Sequence, residues 1–155
     1  MKLIRDNYID IINEKEKLFF ETEQREIKKL LSNKIIEEYQ EILDSDKKDI
    51  YEYADLIEVL YATIKFKTSE LILEEDYLFY NIVERNTDLI VKQPLDLLLK
   101  GYIESDFSLD KIFGLYICIN NLAISQNIDF RDIEKKRLDK FNDKGGFSTF
   151  LVLKD

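Results

Sequence analysis

Two acidic pairs stand at equal distances on either side of one short polar stretch. The first, Glu38 and Glu41, closes the segment Lys34-Ile-Ile-Glu37-Glu38-Tyr-Gln-Glu41. The second, Glu52 and Asp55, lies in Glu52-Tyr-Ala-Asp55, and Asp44-Ser45-Asp46-Lys47-Lys48-Asp49 runs between them. Within each pair the spacing is i,i+3, which puts both side chains on one helix face. In an antiparallel hairpin turning near Asp46 and Lys47, Glu41 faces Glu52 and Glu38 faces Asp55. Every helical residue advances by the same ~1.5 Å, so both cross-helix pairs sit level. Four carboxylates then converge between two helices, where they repel one another and lose hydration. A hard divalent cation offsets both costs. Mg²⁺ takes oxygen ligands and is the first expectation, with Mn²⁺ as an alternative. Each pair taken singly reads as readily as a solvated helix face in a chain this charged. The symmetric arrangement, flanked by Ile35, Leu56 and Val59, is what turns these faces toward the interior.

Other chemistries are excluded by composition. The chain has no His, which removes His-assisted nucleophiles and His-ligated zinc. Its single Cys118 excludes an intramolecular disulfide and a Cys-rich metal site, and in Tyr116-Ile-Cys-Ile119 it reads as a small core residue. The formal net charge is −9, which argues against nucleic acid or an anionic membrane as partner. A small anionic substrate remains open, because a bound metal reverses the local sign. The opening Met1-Lys-Leu-Ile-Arg-Asp6 is too charged for a signal peptide, and no apolar run approaches the ~20 residues of a membrane span. A cytoplasmic protein is expected.

The elements that must position these acids read as all-α. The 155 residues suit one domain, 1–155, and with 4 Gly, 1 Pro and little strand-type alternation they predict a bundle of antiparallel helical hairpins. Residues 1–6 read as extended or loop, and 8 to about 17 as a first helix. Thr22 caps a long helix to about residue 43 that buries Ile27, Leu30, Leu31, Ile35 and Ile42. Ser45, Asp46 and Asp49 all qualify as N-caps of the next helix, which runs to about 65 and buries Leu56, Val59, Leu60 and Thr63. Further helices are expected at about 69–84, from Pro94 through 95–103, at 109 to about 126, and at 129 to about 142. Gly145-Gly146 ends the last of these, and 147–153 reads as a short terminal strand.

A faint internal echo joins 34–62 to 94–123. Ile42-Leu-Asp-Ser-Asp46 aligns with Tyr102-Ile-Glu-Ser-Asp106, but Leu98, Gly101, Lys111 and Gly114 stand where the acids would be. One reading is a pseudo-duplication, with an active hairpin and a degenerate one; the other is that amphipathic hairpins resemble one another by default.

The acidic pattern, Glu37-Glu38-x-x-Glu41 followed by Glu52-x-x-Asp55, resembles that of the MazG-like all-α nucleotide pyrophosphohydrolases. The phosphoribosyl-ATP pyrophosphohydrolase-like branch is the most similar. That branch opens with a Lys-Leu-Val-Arg-Asp-Lys-Ile-Pro-like stretch, against Lys2-Leu3-Ile4-Arg5-Asp6-Asn7-Tyr8-Ile9 here. Its Lys-Leu-x-Glu-Glu corresponds to Lys34-Ile-Ile-Glu37-Glu38, and its Ala-Asp-Val-Leu-Glu-Val-Ile to Ala54-Asp55-Leu-Ile-Glu58-Val59-Leu60. Its closing Lys-x-x-x-Arg-Gly-Gly-Phe corresponds to Lys140-Phe-Asn-Asp-Lys144-Gly145-Gly146-Phe147. The chain departs from the branch at Asn7-Tyr8-Ile9, at Lys144, and by an insertion or degenerate hairpin at about 67–127.

The resemblance implies Mg²⁺-dependent cleavage of a nucleotide between its α and β phosphates, with metal on Glu38, Glu41, Glu52 and Asp55. Glu37 and Glu38 are the implied catalytic acids, Glu37 to orient or deprotonate the attacking water. Lys2, Arg5, Lys34, Lys140, Lys144 and the Gly145-Gly146 backbone are the implied phosphate-binding groups, and Arg137 is a weaker candidate. Lys34 reads equally well as an ion-pair partner of Glu38, and Arg137, Lys140 and Lys144 as a basic solvated face. The family is commonly oligomeric, so a homodimer is expected unless the second hairpin replaces the partner's helices. A non-catalytic nucleotide-binding descendant and a helical interaction module are the competing functions.

Overall fold

Apolar residues recur at helical spacing through the first long segment, and they are what the bundle buries. A computed structural model of the chain describes residues 2–7, 19–21, 24–67, 109–147 and 151–153. Among these residues four helices form: α1 (Gln24–Asp44), α2 (Ile50–Lys67), α3 (Leu109–Ser125) and α4 (Phe130–Lys144). Helices α1 and α2 make the expected hairpin, and α2 also packs on α3 and α4, so it is the central element. Ile27, Leu30, Leu31, Ile35 and Ile42 of α1 and Leu56, Val59, Leu60 and Thr63 of α2 are all buried, as their spacing predicts. Ile112, Leu115, Tyr116 and Ile119 of α3 and Ile133 of α4 close the core around α2. Cys118 is a buried free thiol, and burial pushes its pKa up. Among the described residues no helix is long and apolar enough to cross a membrane.

The α1–α2 turn is where the sequence expected it. Asp46 and Lys47 adopt left-handed backbone conformations (φ 55° and 63°). The amide of Lys47 donates to the carbonyl of Ile42 at 2.9 Å and that of Asp46 to Leu43 at 3.1 Å, which satisfies the carbonyls left over at the end of α1. A left-handed residue other than glycine costs about 1–2 kcal/mol. Tyr53 offsets part of this: its hydroxyl donates to the Lys47 carbonyl at 2.9 Å and its ring is fully buried. Of the three candidate N-caps, Asp49 takes the position, accepting from the amide of Tyr51 at 2.9 Å. Ser45 supports it from behind, its hydroxyl accepting from the Asp49 amide and donating to Ile42. At the far end, Asp129 caps α4 through the amide of Arg131, and Gly145 (φ 73°) ends the helix.

The extended terminal segments pair with a third strand that the sequence did not announce. Strands β1 (Lys2–Leu3), β2 (Phe19–Glu21) and β3 (Leu151–Leu153) form a small antiparallel sheet in the order β1-β3-β2. Leu3 stands opposite Val152, and so does Phe20 from the other side. The sheet ties both ends of the described chain together, and the residues after β1 then run along the end of α4. The amides of Asp6 and Asn7 donate to the carbonyls of Gly146 and Lys144 at 2.8 and 3.0 Å.

The helices expected at 8–17, 69–84 and 95–103 lie outside the described residues. Of the suspected second hairpin only the latter helix, α3, is described. The pseudo-duplication and most of the 67–127 insertion therefore fall outside them as well.

Candidate metal centre

The hairpin brings three of the four predicted acids into one cluster. Carboxylate oxygens of Glu38, Glu41 and Glu52 lie within 4.8 Å of one another. Opposite ligands in a hard-cation shell are roughly 4–5 Å apart, twice the usual metal–oxygen distance, so the spacing is on the scale of one shared ion. Glu38 forms the buried floor at 4% exposure, while Glu41 and Glu52 stand nearer solvent. Glu38 Oε2 is buried and has no hydrogen-bond partner among the described residues. A buried carboxylate oxygen without a donor costs several kcal/mol when ionised, and a cation is the partner it lacks. The donor set is all oxygen and all anionic, which fits Mg²⁺ or Mn²⁺ and not a soft metal.

The electrostatics agree with crowding. Burial pushes the Glu38 carboxyl up to about 7, with Asp55 and Glu41 adding to the rise and Lys34 opposing it. Glu41 and Glu52 also rise, first through burial; a hydrogen bond between them lifts Glu41 and lowers Glu52. The Glu41 and Glu52 oxygens, within 4.8 Å of each other, do stand together, and the charge of Asp55 adds to the rise at both Glu38 and Glu52.

Lys34 takes the ion-pair position that the sequence allowed. It pairs with Glu38 and, at 3.2 Å, with Glu37, and its side chain is largely enclosed beside the cluster. Burial works to lower its pKa, but the two carboxylates outweigh that and raise it, so the ammonium stays charged. Glu37 sits at the rim, partly exposed.

Asp55 has different company from the other three acids. Its Oδ1 accepts from Arg5 Nη2 at 2.8 Å and its Oδ2 from Lys140 Nζ. Arg5 is itself buried, donating from Nη1 to the Gly145 carbonyl at 2.9 Å and lying over the Phe147 ring at 5.5 Å. The Gly145-Gly146 backbone does make a close approach, though to the chain's own residues 5–7. A Cβ on Gly145 would stand 3.0 Å from the Cβ of Asp6, and one on Gly146 would stand 2.9 Å from Glu58 Oε1 and from the Phe141 ring. Lys144 lends its carbonyl to Asn7, and its side chain is half-buried at the end of α4. Lys2 contributes backbone to β1.

No protein-family model, curated protein or solved structure matches the chain.

Arg137 corrects the sequence reading. It does not lie on a solvated basic face: at 2% exposure it is the largest fully buried side chain described. Its Nη1 donates to Glu58 Oε2 at 2.7 Å, its Nε and Nη2 donate to Glu134 at 3.1–3.2 Å, and its guanidinium lies 4.1 Å from the centre of the Tyr61 ring. Sequence reading gave neither Glu58 nor Glu134 a role. Their signal is the match of Asp55, Glu58 and Tyr61 on α2 to Lys140, Arg137 and Glu134 on α4, both at i,i+3 and running antiparallel. That match is visible only once the two helices are known to be neighbours.

Proposed function

We propose that the chain is a Mg²⁺-dependent nucleotide pyrophosphohydrolase of the MazG-like kind. The observation that carries the reading is the buried Glu38 Oε2, without a hydrogen-bond partner among the described residues, at the floor of a three-carboxylate cluster. Glu38, Glu41 and Glu52 would hold the ion, with Asp55 one helical turn along α2 as a fourth ligand. An ion held there would supply positive charge for phosphate oxygens and would make a nearby water more acidic.

The chain's own residues supply the rest. Glu37, at the rim and next to Lys34, is the group to orient the attacking water and accept its proton. The water oxygen bonds to phosphorus as the bond between the α and β phosphates breaks, and the diphosphate leaves. Lys34, Arg5 and Lys140 are the positive charges nearest the cluster, and they offset charge on the departing phosphates. The substrate is a small nucleotide in the cytoplasm, and nucleic acid is disfavoured by the −9 net charge. A homodimer fits the same family reading.

The test is Mg²⁺-dependent release of pyrophosphate from a panel of nucleoside triphosphates and related nucleotides. Wild type releases it with at least one member, while Glu38→Gln and Asp55→Asn, with unchanged circular dichroism, do not. Activity that survives Glu38→Gln would remove the assignment.

A further inference from the structure

Asp55 is a predicted metal ligand whose two oxygens are both taken by side-chain cations, Arg5 and Lys140. Across the hairpin, on α1, Glu38 Oε2 is buried among carboxylates and has no hydrogen-bond donor among the described residues. Among the described residues the clustered acids have Lys34 alone as a cationic partner, while Asp55, outside the cluster, has two. Building on the metal-centre reading above, we propose that Asp55 is a two-position carboxylate: it holds Arg5 and Lys140 while no divalent cation is bound, and turns to the cation once Glu38, Glu41 and Glu52 hold one, releasing Arg5 and Lys140 to bind phosphate.

Charge and geometry both favour the exchange. Glu37, Glu38, Glu41, Glu52 and Asp55 against Lys34, Arg5 and Lys140 leave two net negative charges, which repel an oxyanion. A divalent cation cancels them, and the repulsion that kept the oxyanion away is removed. The two partners are released unequally. Arg5 keeps its bond to the Gly145 carbonyl and its stack on Phe147, so its guanidinium stays aimed at the site with Nη2 free. Lys140 has no other ion pair among the described residues, and its long stem lies partly in solvent, so it is free to follow a phosphate. Metal is thereby required before substrate, and anion binding and metal binding reinforce each other.

The test is a double-mutant cycle on the full chain, read as Mn²⁺ affinity by electron paramagnetic resonance without any nucleotide. Lys140→Met removes the competitor for Asp55 and tightens Mn²⁺ binding by roughly 5–10-fold, the scale of a modest coupling between sites. In an Asp55→Asn background the same substitution changes affinity by less than about twofold, because the group it competed for is gone. An equal gain in both backgrounds would mean that Lys140 acts only as a nearby charge, and would overturn the exchange while leaving the metal centre intact. Absence of Mn²⁺ binding by wild type would overturn the metal centre itself. Nitrogen-15 NMR of the wild-type Lys140 ammonium and Arg5 guanidinium gives a reading that needs no variant. Their signals shift on adding Mg²⁺ if Asp55 lets go, and unchanged signals at saturating Mg²⁺ refute the release.

Discussion

Helix α2 carries its acids, Glu52, Asp55 and Glu58, along its first half, and the outer two are treated in opposite ways. Glu58, at the middle of the helix, meets a buried arginine that also binds Glu134 and lies over Tyr61. Glu52, toward the N-terminal end, meets two further carboxylates, one of which has a buried oxygen with no donor among the described residues. The first is a matched network whose charges are answered by the chain itself, and such a network holds elements in place. Among the described residues the second has one ammonium, Lys34, beside three carboxylates, and the proposed metal centre rests on that shortfall. Asp55 lies between the two and belongs to neither completely. The contrast is between an acid whose charge is matched and acids whose charge is not: burial alone distinguishes neither.

The largest expected effect falls on the matched acid. Arg137→Met takes the buried guanidinium away from Glu58 and Glu134 and lowers unfolding free energy by about 3–5 kcal/mol in urea titration, the usual cost of breaking one side of a buried pair. Adding Glu58→Gln to it recovers part of the loss, because one buried charge is removed. If Arg137→Met were neutral, the matched network would have no architectural role and the contrast would fail.

The unmatched acids predict a pH dependence of opposite sense to ordinary acid denaturation. Glu38 ionises near 4.5 when unfolded and at about 7 when folded, so its protonated form favours the fold. That contribution is fully present below about pH 4.5 and is lost as pH rises through about 7, a change of at most roughly 3 kcal/mol. The upward shifts of Glu41 and Glu52 act in the same direction. Thermal melting in EDTA should therefore decline across that window, and saturating Mg²⁺ should flatten the decline. A decline unaffected by Mg²⁺ would separate the acids from any metal.

A smaller effect sharpens the boundary between the two regions. Gly146→Ala pushes a Cβ against Glu58 Oε1 and the Phe141 ring, where it would stand at 2.9 Å. It should cost about 1–3 kcal/mol in chemical denaturation, as overpacking does. Gly114→Ala, with open space around its Cβ, is the control on α3 and should cost nothing or stabilise the helix slightly.

What could be read from the chain was local. The turn at Asp46-Lys47, the approach of Glu41 to Glu52, the buried stripes of α1 and α2 and the stop at Gly145 all follow from spacing within one hairpin or one helix end. What could not be read was the pairing of distant residues. Phe19–Glu21 is a three-residue strand with no alternation to announce it, and it exists because β3, far along the chain, lies beside it. Arg137 looks solvated in a helix as charged as α4, since its partner Glu58 is 79 residues away. The capture of Asp55 by Arg5 and Lys140 likewise joins three separate elements. The carbonyls of the glycine pair are taken by the side chain of Arg5 and the amide of Asp6, a pairing of the two ends of the chain that no local pattern announces.

The most direct measurement is calorimetric titration of Mg²⁺ into the EDTA-treated, dialysed chain, with Glu38→Gln alongside. Saturable binding by wild type, and its loss in a variant that melts at an equal or higher temperature in EDTA, is the predicted result. No binding by wild type, or equal binding by both proteins, would contradict a metal centre built on Glu38.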